Sequence, residues 1–437
     1  MSDQKEERGL RELYDQDPER ADYLAFGRKT ETDRRGFLKG AGLTAMMLAV
    51  GGAIPFARNM PSGLIPSALA DTPEDFTLFG KTGIIIRNDR PVNLETPAPL
   101  LDPDVTPIEN FFVRNNGGVP EATADPEAWT LTIDGEVDNP LQLTLAQLQS
   151  DFETVTLRMQ LECGGNGRAG FNPSPRGNQW AIGAVGNGEW TGCRLRDVLQ
   201  QAGLKSSAVY TGHYGADPHL SGEPGRPSIS RGVPIDKALE PHTLLVWGMN
   251  GEPLPLIHGG PLRVVAAGWP GSCSQKWLTR IWVRDQEHDG PGMTGLSYRM
   301  PRNPVPPGAE VPHEDMVVMG PMPVKSVITF PDTLTDVRAD EAFEVRGHAW
   351  AGEHEVQAMH VSYDFGATWV EAELEPPTNR YDWQRWRARI TLPAAGYYEI
   401  WARATDDTGV MQPAVVPGWN PRGYGNNSQH RIALNAA

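Results

Sequence analysis

Glycine and proline punctuate this 437-residue chain 47 and 39 times, and that density limits what it can fold into. Neither residue sits well inside a helix, so a bundle of long helices is disfavoured and short strands joined by turns are expected. The pattern is plainest beyond residue 320. Short alternating or β-branched runs at 324–330, 343–350, 356–363, 368–374, 385–392 and 397–404 are separated by Gly, Pro, Asp and Asn turns. Such spacing predicts an all-β sandwich. The proline-rich stretch 301–320 reads as a boundary, which gives expected domains at 71–320 and 321–437. In the first of these, 129–133 reads as a strand and Thr144 and Gln147 stand at capping-box spacing for a short helix. The run 155–161 alternates as a strand.

Residues 1–70 read differently. Asp33-Arg34-Arg35-Gly36-Phe37-Leu38-Lys39 precedes an apolar Gly/Ala-rich run at 41–57, and Ala68-Leu69-Ala70 offers a small-x-small cleavage site. This is the pattern of a twin-arginine export signal, cleaved on delivery to the periplasm. The apolar run is short and glycine-interrupted for a spanning helix, so no membrane anchor is expected. Twin-arginine export carries folded proteins, which suits an enzyme that must receive a complex cofactor before it leaves the cytoplasm. The net charge of −16 argues against nucleic acid or an anionic membrane as partner and for a basic protein.

The three cysteines, Cys163, Cys193 and Cys273, are too few and too scattered for a disulfide framework or a Cys-x-x-Cys zinc site. No Cys-x-x-Cys-His is present to attach a c-type haem. His213 and His219 have no cysteine or carboxylate at ligand spacing, which disfavours zinc. A free cysteine is ordinarily a small buried hydrophobe, and Cys193 fits that description. Cys163 has other neighbours. Gly164, Gly165 and Gly167 remove Cβ atoms and permit positive φ, as backbone does where it must approach a bulky ligand. Arg168 adds a cation able to favour a thiolate or bind an anion. A thiolate suits a soft or high-valent metal. With one cysteine available, the other ligands must come from elsewhere, and an organic cofactor carrying its own sulfurs would fit.

Met159-Gln160-Leu161-Glu162-Cys163-Gly164-Gly165-Asn166-Gly167-Arg168 resembles the molybdenum-binding segment of the sulfite oxidase family, in which one cysteine and one molybdopterin dithiolene hold an oxo-molybdenum centre. Other motifs follow in family order, and the resemblance spans roughly residues 77–437. It implies an α+β molybdopterin-binding domain with the sulfite oxidase fold, then an all-β immunoglobulin-like dimerisation domain. It also implies one molybdenum per chain on Cys163; apart from the resemblance, no haem domain is expected before or after it. Phe111-Phe112-Val113-Arg114-Asn115-Asn116 looks like the family's segment along the pterin: Phe112, Val113, Arg114, Asn115 and Asn116 would line the cofactor, with Arg114 reaching the substrate. Asn116 stands where the family usually has histidine. Trp190-Thr191-Gly192 resembles a family motif whose tryptophan would wall the substrate pocket. Asp217 matches in order an aspartate that contacts the pterin. Gly251-Glu252-Pro253-Leu254-Pro255 with His258-Gly259-Gly260-Pro261-Leu262-Arg263, then Ser274-Gln275-Lys276-Trp277-Leu278, resembles the family's cofactor-binding signature. By that likeness His258, Arg263, Ser274, Gln275 and Lys276 hold the phosphate and pterin. Tyr298 stands at the family's pocket tyrosine, and Arg422, in the closing Trp419–Asn427 motif, at an arginine that reaches back into the substrate pocket.

Arg114, Arg168 and Arg422 converging on such a centre would take a small oxyanion with a lone pair to give. The implied activity is oxidation of sulfite to sulfate, with electrons leaving to a separate soluble c-type cytochrome, in a homodimeric enzyme. Competing readings are a sulfane dehydrogenase subunit acting on protein-bound sulfur, a molybdenum reductase of S- or N-oxides, and a β-sandwich binding protein with a vestigial cofactor domain. The three arginines favour free sulfite over the first. The C-terminal domain weighs against the second, and the intact Cys163, His258, Arg263 and Lys276 set weighs against the third.

Overall fold

The computed structural model describes residues 79–121 and 126–437; the expected export signal and its cleavage site lie outside the described residues. Where a sheet of the N-terminal half turns inward, the sequence supplies long apolar strands. Val155–Glu162 pairs antiparallel with Val185–Arg194, which pairs with Thr243–Met249, itself flanked by Glu252–Pro253 and Arg263–Ala266. A second sheet orders Leu141–Thr144, Thr130–Gly135, Leu278–Arg284 and Tyr210–Gly215, with Thr130–Gly135 and Leu278–Arg284 parallel. A small sheet of Ile85–Asp89, Val92–Glu95 and Val113–Arg114 lies beside them.

Helices are fewer than an α+β label suggests: among the described residues of this half the α-helices are Leu145–Asp151, Leu195–Ala202 and Ile235–Ala238. The first opens on the expected capping box, Thr144 Oγ1 accepting from the Gln147 N–H (3.2 Å) and Gln147 Oε1 from the Thr144 N–H (2.8 Å). The second presents Leu195, Val198, Leu199 and Ala202 to a core that also takes Cys193 and Cys273, both fully buried. Those two cysteines are therefore packing residues.

Beyond residue 324 the chain is all strand. One sheet orders Lys325–Phe330, Ala342–Trp350, Gln384–Thr391 and Glu373–Leu374; the other orders Thr335–Val337, His430–Ala436, Gly396–Asp406, Val356–Ser362 and Val370–Glu371. Both sheets contribute to one apolar core. In Gln384–Thr391 the period of two is complete, with Trp386, Ala388 and Ile390 buried between the outward-facing Arg385, Arg387 and Arg389. Two expectations change here. The single strand read at 368–374 is two short pieces that belong to opposite sheets, with Ala372 between them. The strand His430–Ala436, unread in the sequence, is an inner strand of the second sheet.

The sandwich is fixed to the N-terminal half by an apolar contact of Leu101 and Val185 with Val327, Trp350 and Trp383, and by Arg346 on Asp102 (3.0 Å). That contact brings the C-terminal tail against the loop that carries Cys163.

Candidate active site

Cys163 follows directly on Val155–Glu162, and its N–H donates to Ala184 O (2.9 Å), so the strand's geometry carries one residue further into the loop. The side chain is buried and forms part of the wall of a cavity. Gly167 is left-handed, with φ +92°. A Cβ on Gly165 would run into the Arg168 guanidinium, and one on Gly167 would meet Asn426 at 3.0–3.2 Å. Gly165 and Gly167, expected to admit a bulky ligand, thus make room for Arg168 and the C-terminal tail, while Gly164 faces Met319 and Pro270.

The rest of the cavity wall holds most of the residues singled out in the sequence: Phe112, Arg114, Asn115, Asn116, Asp217, His258, Arg263, Ser274, Gln275, Lys276 and Tyr298. Each is held by an identifiable partner. Arg263 starts a buried strand, and its Nη1 and Nη2 donate to the carbonyls of His258 (2.7 Å) and Ser274 (3.0 Å). Lys276 Nζ donates to Ile257 O (2.8 Å) and to Asn115 Oδ1. Ser274 Oγ accepts from the Ala266 N–H (3.0 Å), so its hydroxyl braces the loop. Asp217 receives Gln275 Nε2 at 3.5 Å, and burial raises its carboxyl above the usual range.

Two expected residues lie elsewhere. Trp190 is fully buried inside the strand Val185–Arg194, its Nε1 donating to Met159 O (2.9 Å) and its ring beneath the Arg263 guanidinium (5.3 Å). It supports the cavity floor from behind and lines neither the cavity nor the cleft described below. Val113 points the opposite way from its strand neighbour Arg114, into a core with Leu94 and Ile257.

Four cations crowd this cavity. Lys81, unread in the sequence, is buried behind His258, donating to Phe111 O (2.9 Å) and lying 2.6 Å from His258 Nε2. Burial pulls its ammonium down to about 7, against a weaker opposing pull from Glu109. Burial likewise lowers Arg263 to about 9. Lys276 is held well below its usual range by burial first and then by Arg263, and His258 by burial and then by Lys81, Lys276 and Arg263. The fourth cation is Arg114. Asp217 is the one carboxylate among the cavity's lining residues. Such a cluster is complementary to a polyanion.

Arg114 and Asn116 also line a second, open cleft, together with Arg168, Arg176, Arg422 and Tyr424. Arg168 is buried and folded back, Nε donating to Arg422 O (2.8 Å) and Nη1 to Asn178 O (2.8 Å). Arg114 Nη2 donates to Asn116 Oδ1 (2.6 Å). Tyr298 and Tyr424 stack at 5.0 Å, with Arg231 on the outer face of the first (4.6 Å) and Arg168 near the second (5.2 Å). Four guanidinia and no carboxylate line this cleft, which can hold a small anion against the cavity that Cys163 walls.

The residues present fit a cofactor that combines phosphate, a heterocycle with donor and acceptor edges, and a soft metal. Buried Asn115 Nδ2, a donor, and Gln275 Oε1, an acceptor, have no partner, and both residues line the cavity. Unsatisfied buried polar groups of both senses call for a polar ligand. The cation cluster suits a phosphate, and the thiol suits the metal. Lys81, Arg176, Arg231 and Tyr424 were not singled out in the sequence. Of these, Tyr424 lies two positions after Arg422.

Residues 116–292 match the family described as oxidoreductase molybdopterin binding domain, and residues 317–437 the Mo-co oxidoreductase dimerisation domain. The chain is 33% identical over 360 residues to the sulfite oxidase of Gallus gallus, covering 80% of this chain and 77% of that protein. It is 34% identical over 364 residues to the mitochondrial sulfite oxidase of Drosophila melanogaster, covering 79% and 62%. A nitrate reductase of Hordeum vulgare is 31% identical over 375 residues, covering 79% and 41%. Among solved structures, the sulfane dehydrogenase SoxCD of Paracoccus pantotrophus superposes with a TM-score of 0.67 at 22% identity, covering 89% of this chain and 98% of that one. That likeness concerns the fold.

Proposed function

Since this chain belongs to the sulfite oxidase family of molybdenum enzymes, we propose that it oxidises sulfite to sulfate and passes the electrons to an external c-type cytochrome. One observation supports the substrate above the rest. Arg114, Arg168 and Arg422 line one cleft, and that cleft shares Arg114 and Asn116 with the cavity walled by Cys163.

Cys163 would ligate the molybdenum. Lys276, Arg263 and His258 would hold the molybdopterin phosphate, with Asn115 and Gln275 on the heterocycle. When bound, the molybdenum centre supplies the oxygen atom transferred to sulfur and accepts two electrons. The protein's part is electrostatic. Arg168 is preorganised by Arg422 O and Asn178 O, and Arg114 by Asn116, so little reorganisation is needed when a dianion enters. The stacked Tyr298 and Tyr424 close the wall between cavity and cleft and keep Arg168 in place. The C-terminal domain is read as an immunoglobulin-like sandwich through which two copies pair, and export to the periplasm follows from the twin-arginine reading.

A sulfane sulfur bound to a carrier protein would not need four guanidinia around the entrance, which favours sulfite. Metal analysis and sulfite-dependent reduction of ferricytochrome c test the reading together. Wild-type protein should carry molybdenum and turn over; Cys163→Ala should lose both while its melting temperature moves little, because the side chain is small and faces the cavity. Full molybdenum and activity in Cys163→Ala would overturn it.

A further inference from the structure

Glu162, the residue before Cys163, is completely buried and carries a charge that the chemistry proposed above does not use. Both of its carboxylate oxygens are taken up by the C-terminal domain. Lys325 Nζ donates to Oε1 (2.7 Å) and Trp350 Nε1 to Oε2 (2.8 Å). Lys325 and Trp350 are register partners on adjacent antiparallel strands, so the first sheet of the sandwich presents them as a rigid pair of donors. Lys325 itself is 2% exposed.

The same lysine continues into the loop, donating to Asn166 O (3.0 Å). Asn166 Nδ2 then bonds Glu162 Oε1 (3.0 Å) and Ile182 O (3.0 Å), and its Oδ1 accepts from the Ala184 N–H (3.1 Å). Ala184 O is the acceptor for the Cys163 N–H. The tail closes the circuit: Gly425 N–H donates to Gly164 O (3.1 Å) and Asn426 Nδ2 to Gly167 O (2.7 Å). Nearly every residue from 162 to 168 is thus held by the sandwich or the tail, directly or through Asn166.

A buried carboxylate with its charge partner supplied by another domain is a strong constraint on geometry, since neither ion tolerates losing the other. We infer that Lys325 is a positioning residue for Cys163: the clamp it makes with Trp350 on Glu162 sets the loop that presents the thiol, and the N-terminal domain cannot set that loop alone. The inference rests on the proposed role of Cys163 as metal ligand for its functional meaning, and on the geometry alone for its structural content.

The test uses the full chain, cofactor-free and loaded, with Lys325→Met, the double variant Glu162→Gln/Lys325→Met, and Arg346→Met as a control that breaks a different ion pair at the same domain contact. Amide hydrogen exchange is followed by mass spectrometry in the peptide spanning 163–168, and the loaded proteins are compared by the electron paramagnetic resonance of molybdenum(V). Lys325→Met should speed exchange in that peptide by about tenfold or more, because the local opening that exposes these amides has lost its main restraint. It should also shift the molybdenum(V) signal. Arg346→Met should lower the melting temperature and do neither. The double variant leaves no unpaired buried charge and decides the matter if Lys325→Met does not fold: Asn166 O still lacks its donor, so exchange should stay fast. Exchange and spectrum no different from the control would overturn the inference. Faster exchange in Lys325→Met, with a parent chain that itself binds no molybdenum, would leave the clamp standing and remove the proposed function instead.

Discussion

At Asn116 a single replacement changes what pH can do to the site. The family usually has histidine there, and here the side-chain oxygen accepts from Arg114 Nη2 at 2.6 Å. An asparagine oxygen does not titrate, so it holds the guanidinium equally well at pH 5 and pH 8. A histidine that accepted the same bond would lose its acceptor on protonation, near pH 6.5 if its environment leaves it unperturbed. Asn116→His should therefore steepen the fall of kcat/KM for sulfite below about pH 6.5, beyond the fall that protonation of sulfite itself gives both enzymes. Steady-state kinetics from pH 5 to 8 measure this, and parallel profiles for the two enzymes would mean that the Asn116 contact does not govern Arg114. Trp190 shows the opposite lesson. Its motif was legible, yet period-two alternation along Val185–Arg194 turns the indole into the core, where it carries the Arg263 guanidinium.

Loops and tails, rather than strands, decide how the site is assembled, and that is where sequence reading thins out. Cys163, His258, Arg263 and Lys276 were legible because each stands in a short contiguous motif, and the sandwich strands because their alternation is local. Lys81 was not, since nothing near it in sequence announces contacts that arise only when distant segments meet. The same holds for the divided strand at 368–374: two residues on each side of Ala372 obey the alternation, but only the packed sheets determine which sheet each joins. The tail segment 419–427 makes a sharper case. Gly423 is left-handed, φ +64°, and a Cβ there would lie 2.6 Å from both Arg168 Cγ and Pro175 Cγ. Gly423→Ala would thus pay about 1–2 kcal/mol in backbone strain and also push on Arg168, whose Nε bond to Arg422 O depends on this turn. The expected outcome is a raised KM for sulfite with molybdenum content retained. A KM equal to the parent's would show that the tail does not hold Arg168.

For the molecule as a whole, charge acts in two ways, through buried histidines on stability and through the surface on partners. His213, His348 and His430 are lowered by burial from 6.5 to about 4. Each stays neutral in the folded chain at pH 5 while its unfolded counterpart binds a proton. Their stabilisation is therefore complete above pH 6.5 and is lost as pH falls through 6.5 toward about 4, on the order of 3 kcal/mol apiece at most. Melting of cofactor-free protein should drop steeply between pH 6.5 and 4.5; a flat curve there would contradict the burial of these rings. The surface argument concerns the electron acceptor. A net charge of −16 would attract a basic cytochrome at long range, yet the mouth of the substrate cleft is lined by four arginines, including the exposed Arg176 and Arg422. A basic partner is repelled from that mouth, so docking beside the entrance rather than over it reconciles that repulsion with attraction to the net charge. Exposed charges are screened beyond a Debye length of about 8 Å at physiological salt. Sodium chloride should therefore lower kcat/KM for a basic cytochrome c at saturating sulfite. Anion competition at the arginines would appear separately, as a raised KM for sulfite at saturating cytochrome. An acidic cytochrome should show the opposite salt trend or none. If basic and acidic cytochromes respond alike, long-range attraction does not select the acceptor, and a shape-driven contact or a permanent complex must take its place.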